Sequence, residues 1–126
     1  MAGILIDADV VLKWLRGVGP YAERIPQLLE KGEVLAWSPA DAALLFRYVR
    51  PNEQKVFEGL FEVLQTLQVT PEVARKAGTY CAAFGESKGL TPAIALVGAS
   101  AFIYGMPLWA VVREAYPMSD ITFYEP

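Results

Sequence analysis

Residues 4–12 read ILIDADVVL, and this stretch decides the fold expected for the chain. The apolar run at residues 3–7 suits a strand that is buried on both faces of a sheet. Asp7 and Asp9 interrupt the run, the apolar residues then resume, and Gly17 follows them as the C′ glycine of a helix would. The stretch therefore predicts a buried strand that leads directly into a helix, with Asp7 at the end of the strand.

Short strands and helices alternate along the rest of the chain. Further strands are predicted at residues 33–37, 67–69, 107–112 and 121–124. Strands that alternate with helices form parallel sheets with helices on both faces. The expected fold is therefore a three-layer α/β/α domain, residues 1–126, with a central parallel sheet of about five strands.

The ends of the helices are marked by proline and glycine. A hydroxyl N-cap before a proline at N1 starts a helix at three places, Ser38-Pro39, Thr70-Pro71 and Thr91-Pro92. Pro51 is expected to end one helix and to open another over residues 52–66. Glycines with positive φ are expected after helices at Gly17, Gly32, Gly89 and Gly105.

Composition limits the classes of protein to which the chain can belong. Hydrophobic residues make up 54% and charged residues 20%, so a disordered chain is excluded. The net charge of −3 disfavours nonspecific binding to a phosphate backbone. The mean hydropathy of +0.30 predicts that a partner covers some apolar surface.

Cysteine, histidine and charge patterns exclude further classes. Cys81 is the single cysteine, so no intrachain disulfide forms and a cytoplasmic location is expected. The chain has no histidine, which excludes His-based catalysis and His-ligated zinc. Residues 89–112 carry no charge and are long enough for a membrane span. The turn residues near Gly105 predict a helix and a strand instead, and no membrane segment.

In order and spacing, these features resemble PIN domains, and most closely those of VapC-type toxins from toxin–antitoxin pairs. The resemblance extends from residue 3 to residue 112. Besides residues 4–12 and Ser38-Pro39, it rests on residues 70–74 (TPEVA), 95–101 (ALVGASA) and 104–108 (YGMPL). It implies a metal-dependent ribonuclease that cleaves RNA, forms a homodimer and pairs with an antitoxin protein.

The resemblance also implies a set of acidic metal ligands. Several carboxylates at the strand ends would hold a hard cation, which prefers oxygen ligands. Asp7 matches the first acid, and Asp9 matches a position where the family has Asn, Asp or Ser. Asp7 and Asp9 are thus the candidate catalytic and metal-binding residues. The cofactor would be Mg²⁺ or Mn²⁺ in an active enzyme, and there would be none in an inactive one.

The remaining acids of the family pattern are replaced in this chain. The expected positions fall on Leu44, on Ile94 and near Val112, which Arg113 follows. Apolar side chains there would fill the pocket and exclude a hydrated cation. The chain is therefore predicted to be a degenerate PIN domain with weak or absent nuclease activity and a retained protein-binding role.

An active endoribonuclease that uses Asp7, Asp9 and a relocated acid is the alternative. Asp41, Glu114 and Asp120 are the acids in question. Asp41 is at N3 after Ser38, so helix capping is its favoured interpretation. Two structural roles also stay open, Asp9 as the N-cap of the first helix and Asp7 as a strand-end acid bonded to helix N–H groups.

Asp7 and Asp9 also fit a third functional class. Asp7-x-Asp9 after an apolar strand also resembles the nucleophile motif of haloacid-dehalogenase phosphatases, and response-regulator receivers carry paired acids there. Both need a further lysine and further acids, which residues 89–112 do not provide, so both are disfavoured. Basic residues near the predicted site could contact RNA phosphates, but without interleaved aromatic residues a solvated face is favoured. They are Lys13, Arg16, Arg47, Arg50 and Arg113.

The helix predicted at residues 52–66 has a broad apolar arc. Val56, Leu60, Val63 and Leu64 form one face, and Phe57 and Phe61 project from an adjacent one. Such an arc predicts core contacts on one side and a partner on the other. The candidate interface for a second copy or an antitoxin is therefore Phe46, Phe57 and Phe61.

Overall fold

The structure, a computed structural model, describes residues 3–126. Met1 and Ala2, which belong to the predicted domain, lie outside the described residues. Within residues 3–126 one sheet has four strands: β1 (Ile4–Ile6), β2 (Leu35–Trp37), β3 (Gln65–Thr66) and β4 (Leu108–Trp109). The strand order is β3-β2-β1-β4 and every pair is parallel. The predicted parallel sheet is confirmed.

The strands are shorter than predicted, and the prediction at 107–112 is limited to the two residues of β4. Two further strand predictions need correction. The third strand is at Gln65–Thr66 and not at 67–69, because the preceding helix ends at Val63 and Leu64 already has extended dihedrals. The fifth strand, expected at 121–124, is reduced to one isolated parallel bridge between Leu108 and Phe123. The sheet of the described residues therefore has four strands instead of about five.

Helices cover both faces of the sheet. They are α1 (Ala8–Leu15), α2 (Tyr21–Glu30), α3 (Pro39–Phe46), α4 (Gln54–Val63), α5 (Pro71–Lys88) and α6 (Pro92–Tyr104). Side chains alternate along a strand, so Leu5 packs against α5 and α6 while Ile4 and Ile6 pack against the helices of the other face. The three-layer α/β/α architecture is confirmed.

The predicted helix ends are confirmed where they depend on local chemistry. The hydroxyls of Ser38, Thr70 and Thr91 each accept a hydrogen bond from a backbone N–H in the first turn of their helix. The four glycines expected after helices all have positive φ, between 64° and 79°. Pro51 differs from its prediction, because α3 ends at Phe46 and Pro51 opens a 3-10 turn, Pro51–Glu53, that leads into α4.

The uncharged run of residues 89–112 is divided as predicted. Gly105 ends α6, and β4 follows after Met106 and Pro107. Among the described residues, no helix is both long and apolar enough to cross a membrane.

Candidate functional site

A small pocket of about 100 Å³ lies at the carboxyl end of β1. Parallel α/β sheets carry their sites at this edge. Three acids line the pocket, Asp7 and Asp9 at the start of α1 and Asp41 in α3. The structure therefore brings both predicted acids together with one of the relocated candidates.

Asp7 is buried and uses both of its carboxylate oxygens. Its Oδ1 accepts a hydrogen bond from the Val10 N–H at 2.9 Å, which makes Asp7 the N-cap of α1. Its Oδ2 accepts a hydrogen bond from the Tyr116 hydroxyl at 3.1 Å. Burial and then the nearby charge of Asp9 outweigh these hydrogen bonds and raise the pKa of Asp7 to about 6.

Asp9 is not the N-cap of α1, so that interpretation is wrong. It is the second residue of the helix and its side chain is exposed at the mouth of the pocket. Asp7 takes the capping position because the strand ends one residue before it and the helix begins one residue after it.

Asp41 is 7% exposed and faces Asp7, which the capping interpretation did not anticipate. Ser38 caps α3 with its own hydroxyl, through a hydrogen bond from the Ala40 N–H at 3.1 Å. Among residues 3–126, Oδ2 of Asp41 has no hydrogen-bond partner. Burial, followed by the charge of Asp7, raises the pKa of Asp41 to about 8.

The other two relocated candidates lie outside the pocket. Glu114 is exposed in a 3-10 turn, Arg113–Ala115. Asp120 accepts a hydrogen bond from the Tyr80 hydroxyl at 2.7 Å and pairs with the Lys76 ammonium at 2.8 Å. Of the three acids, the structure thus places only Asp41 beside Asp7.

Leu44, Ile94 and Val112 all line the same pocket as Asp7. They come from α3, from the first turn of α6 and from the segment after β4. None of these three side chains carries an oxygen. Within residues 3–126, no group of three or more His, Cys, Asp or Glu side chains is arranged to hold a metal ion.

Tyr116 lines the pocket too, and sequence reasoning missed it. The residue is buried, its hydroxyl donates to Asp7, and its backbone N–H bonds to the Arg113 carbonyl at 2.9 Å. Burial and the charge of Asp7 raise the pKa of Tyr116 above its usual range. The contact joins residues 109 positions apart, so no local sequence pattern indicates it.

A larger cleft of about 670 Å³ is lined by residues of α1, α3 and α4 and by two of the basic residues. Apolar side chains such as Leu45 and Phe57 line its interior, and Arg16 and Arg50 line it as well. Tyr48, 67% exposed, also lines this cleft, and the Arg47 guanidinium lies 5.1 Å from the centre of its ring. An aromatic side chain does accompany the arginines, contrary to the expectation from the sequence.

The other two basic candidates differ in their surroundings. Lys13 lines a neighbouring cleft of about 500 Å³ with Asp9 and Val112. Arg113 is paired with Glu125 at 2.7 Å and donates to the Tyr124 carbonyl at 3.3 Å. The C-terminal segment therefore holds Arg113.

The predicted partner interface is only partly exposed. Phe57 is 6% exposed and belongs to the core, so its assignment to the surface is wrong. The buried face of α4 is formed by Phe57, Leu60 and Leu64, which leaves Val56 and Val63 exposed instead of buried. The spacing of the apolar residues allowed either face, and the packing of α4 on α3 and β2 selects this one.

Phe46 and Phe61 do form a surface feature. Their rings stack with centroids 5.3 Å apart, and Phe61 is 46% exposed. They line an apolar groove of about 300 Å³ together with Pro39, Ala42, Ala43 and Thr66. We call this the Phe46–Phe61 groove.

Comparisons with known proteins agree with this architecture. No protein-family model matches the chain. The chain is 27% identical over 115 residues to ribonuclease VapC19 of Mycobacterium tuberculosis, in strains CDC 1551 / Oshkosh and ATCC 25618 / H37Rv. The match covers 90% of this chain and 92% of that protein. The structure is similar to a chain of VapBC2 from Rickettsia felis bound to a DNA fragment from its promoter, with a TM-score of 0.74, 12% identity and 96% of each chain covered.

Proposed function

Because the chain is a PIN-domain protein of the VapC type, we propose that apolar and hydrogen-bonding side chains have replaced its cation site. The protein then has weak or no nuclease activity and acts by binding a protein partner. The single observation that supports this most strongly is that Leu44, Ile94 and Val112 share one pocket with Asp7.

The set of oxygen donors in the pocket supports the proposal. Mg²⁺ requires near-octahedral oxygen coordination and usually keeps several waters. Both oxygens of Asp7 already accept hydrogen bonds, and Asp9 is exposed at the mouth. The pocket is small, about 100 Å³, and part of its wall is formed by the apolar side chains of Leu44, Ile94 and Val112. We conclude that these residues do not fit a divalent ion well.

The protonation of Asp41 supports it further. With its pKa raised to about 8, Asp41 is mostly neutral at pH 7. A carboxyl that keeps its proton is a poor cation ligand, because the charged form supplies the attraction.

Calorimetric titration with Mn²⁺ tests the proposal. We expect no binding tighter than millimolar for the unmodified chain, and no RNA cleavage that depends on added Mn²⁺. Micromolar binding that Asp7→Ala abolishes would contradict it. Asp120→Ala is the matched control, because it removes a carboxylate outside the pocket.

An active nuclease that uses Asp7, Asp9 and Asp41 is the second candidate function. One observation favours it: Asp41 is 7% exposed, and in the described part of the chain its Oδ2 lacks a hydrogen-bond partner. Buried polar atoms normally have a partner, so this oxygen suits a ligand. Metal-dependent cleavage that is lost in both Asp7→Asn and Asp41→Asn would establish this function, and cleavage unaffected by either would reject it.

The protein-binding role needs a partner, and we propose an antitoxin-type protein. The similar structure from Rickettsia felis is a VapBC2 assembly, which supports a partner of this kind. A short reading frame beside this one would supply the candidate, and its purified product should bind the chain in a calorimetric titration. Failure of that product to bind would count against the role. We expect the pair to act in the cytoplasm.

We further propose that the chain forms a homodimer through the Phe46–Phe61 groove. The groove is almost entirely apolar, as the centres of homodimer interfaces are. Light scattering should show a dimer that Phe61→Asp converts to a monomer. Phe102→Asp is the matched control, since Phe102 is 43% exposed and lies on α6. A monomer in the unmodified chain would reject the dimer.

A further inference from the structure

We propose that Tyr116 is the specificity-determining residue that keeps Asp7 from binding a divalent cation. Its hydroxyl is bonded to Asp7 Oδ2, so the proton of the phenol takes the place that a positive ion would take beside this carboxylate. The inference rests on the proposed function and adds the residue that prevents cation binding at Asp7.

The position of Tyr116 supports this role. Tyr116 follows β4 on the segment that also carries Val112, and both residues line the pocket with Asp7. A ligand residue on this segment would offer an oxygen acceptor to a cation. Tyr116 instead presents an O–H donor to Asp7, which is the opposite role. This donor competes with a cation for one of the acceptor positions of Oδ2.

The phenol is also held in place. Tyr116 is buried, its backbone N–H bonds to the Arg113 carbonyl, and its ring packs edge-on against Phe123 at 6.5 Å. A side chain fixed in this way does not rotate out of the pocket without disturbing the C-terminal segment. A cation that displaces the hydroxyl from Asp7 therefore has to disturb these contacts as well.

The hydroxyl of Tyr116 contacts one of the two buried acids of the pocket, Asp7. A hydroxyl has one proton, so Tyr116 satisfies Asp7 and provides nothing for the second carboxylate. Among residues 3–126, no group donates to Oδ2 of Asp41. Asp7 and Asp41 are the two buried acids that would have to hold a cation here, and the tyrosine hydroxyl already donates to Oδ2 of Asp7.

The inference is testable because a hydroxyl that donates to a carboxylate can also have the opposite effect and strengthen metal binding. Groups that donate to a metal-binding carboxylate often orient it and strengthen metal binding. Removal of the hydroxyl would then weaken binding, whereas our proposal predicts that it strengthens binding.

The experiment compares Mn²⁺ affinities in a background where binding is measurable. Val112→Asp supplies a carboxylate at an exposed position of the pocket wall, so the fold should tolerate it. We expect Val112→Asp/Tyr116→Phe to bind Mn²⁺ at least about tenfold tighter than Val112→Asp. Equal or weaker affinity would overturn the inference. Addition of Asp7→Asn should abolish the gain.

Tyr80→Phe in the Val112→Asp background is the matched control. It removes a hydroxyl from Asp120, outside the pocket, and should leave the Mn²⁺ affinity unchanged. A second measurement covers the case in which Tyr116→Phe does not fold. In Val112→Asp with Tyr116 intact, the Cζ resonance of Tyr116 should shift when Mg²⁺ saturates the site, because the ion displaces the hydroxyl. Saturation without a shift would overturn the inference.

The results separate this inference from the proposed function. Micromolar binding by the unmodified chain, abolished by Asp7→Ala, contradicts the proposed function whatever Tyr116 does. Weak binding by the unmodified chain, with no gain from Tyr116→Phe, contradicts the role of Tyr116 alone.

Discussion

Asp7 and Asp120 each accept a hydrogen bond from a tyrosine hydroxyl, but the charged side chain next to each of them differs. Asp120 also pairs with the Lys76 ammonium at 2.8 Å, whereas Asp7 shares its pocket with a second carboxylate, Asp41. Burial acts to raise the pKa of Asp120, but the contacts with Lys76 and Tyr80 outweigh it and lower that pKa. The pKa of Asp7 is raised. At buried Asp7 the hydroxyl of Tyr116 therefore does not offset the effect of burial on the pKa, whereas at the more exposed Asp120 the ammonium and the hydroxyl together do.

The largest expected effect comes from Asp41→Asn. The pKa of Asp41 in the folded chain, about 8, lies above its usual value of 3.8, so the free energy of unfolding falls as pH rises between these two values. The variant should lack this fall and be more stable at pH 8, by on the order of 2–5 kcal/mol at about 1.4 kcal/mol per pKa unit. Urea denaturation near pH 4 and at pH 8 measures the difference.

Asp120→Asn is the control for this measurement. The pKa of Asp120 is lowered in the folded chain, so its carboxylate stabilises the fold above its usual pKa. Asp120→Asn should therefore be slightly less stable at pH 8 than the unmodified chain. An unchanged pH dependence in Asp41→Asn would contradict the account of the pocket.

The next largest effect should come from rebuilding the acidic pocket. Leu44→Glu, Ile94→Asp and Val112→Asp together place three carboxylates opposite Asp7. Ile94 is in the first turn of α6, where the helix dipole favours an acid. We expect Mn²⁺ to bind at least about 100-fold tighter, or roughly 2.7 kcal/mol, in a calorimetric titration. The same variant with Asp7→Asn should lose this gain, and affinity that stays unchanged by the three substitutions would argue against the shared pocket.

A smaller effect is expected when the hydroxyl of Tyr116 or of Tyr80 is removed, and the two losses in the free energy of unfolding can be compared directly. Tyr116→Phe removes the donor to buried Asp7 and should lower the free energy of unfolding by about 1–3 kcal/mol. Tyr80→Phe should cost about 1 kcal/mol or less, because Lys76 still pairs with Asp120. Urea denaturation of the two variants under one condition gives the order, and the reverse order would refute the comparison.

The smallest effect is expected for Lys76→Met. Lys76 pairs with Asp120 and lies 4.0 Å from the centre of the Phe102 ring, and both contacts are partly exposed. The free energy of unfolding should fall by about 0.5 kcal/mol. The loss should shrink at high salt, because salt screens exposed charges. NMR titration should show the pKa of Asp120 rising, and an unmoved pKa would mean that Lys76 is not what lowers it.

Sequence reasoning succeeded where the cause of a structure is local. The hydroxyl–proline pairs and the glycines predicted the helix ends because capping involves neighbouring residues. The buried strand at residues 4–6 and the parallel sheet followed from an apolar run and from alternation. Strand lengths were less predictable, because the bridge at Phe123 depends on how residues 121–124 pack against β4.

The site was predicted only in part, because some of its contacts depend on tertiary packing and not on local sequence. Asp7 and the positions Leu44, Ile94 and Val112 were found from the family pattern, and the structure places them in one pocket. Asp41 was misjudged because its position after Ser38 also fits a capping box, and only tertiary packing turns it towards Asp7. The choice between Phe57 and Val56 as the buried residue likewise depended on contacts with other elements.

The single bridge between Leu108 and Phe123 has a consequence for how the sheet can grow. The Leu108 N–H donates to the Thr122 carbonyl, and the Leu108 carbonyl accepts a hydrogen bond from the Tyr124 N–H. The backbone groups of Leu108 at the outer edge of β4 therefore already have hydrogen-bond partners. A one-residue bridge is too short to template another strand, and short edges of this kind discourage aggregation. Fibril-like extension from this side is thereby blocked, which leaves β3 at the other end of the strand order as the open margin.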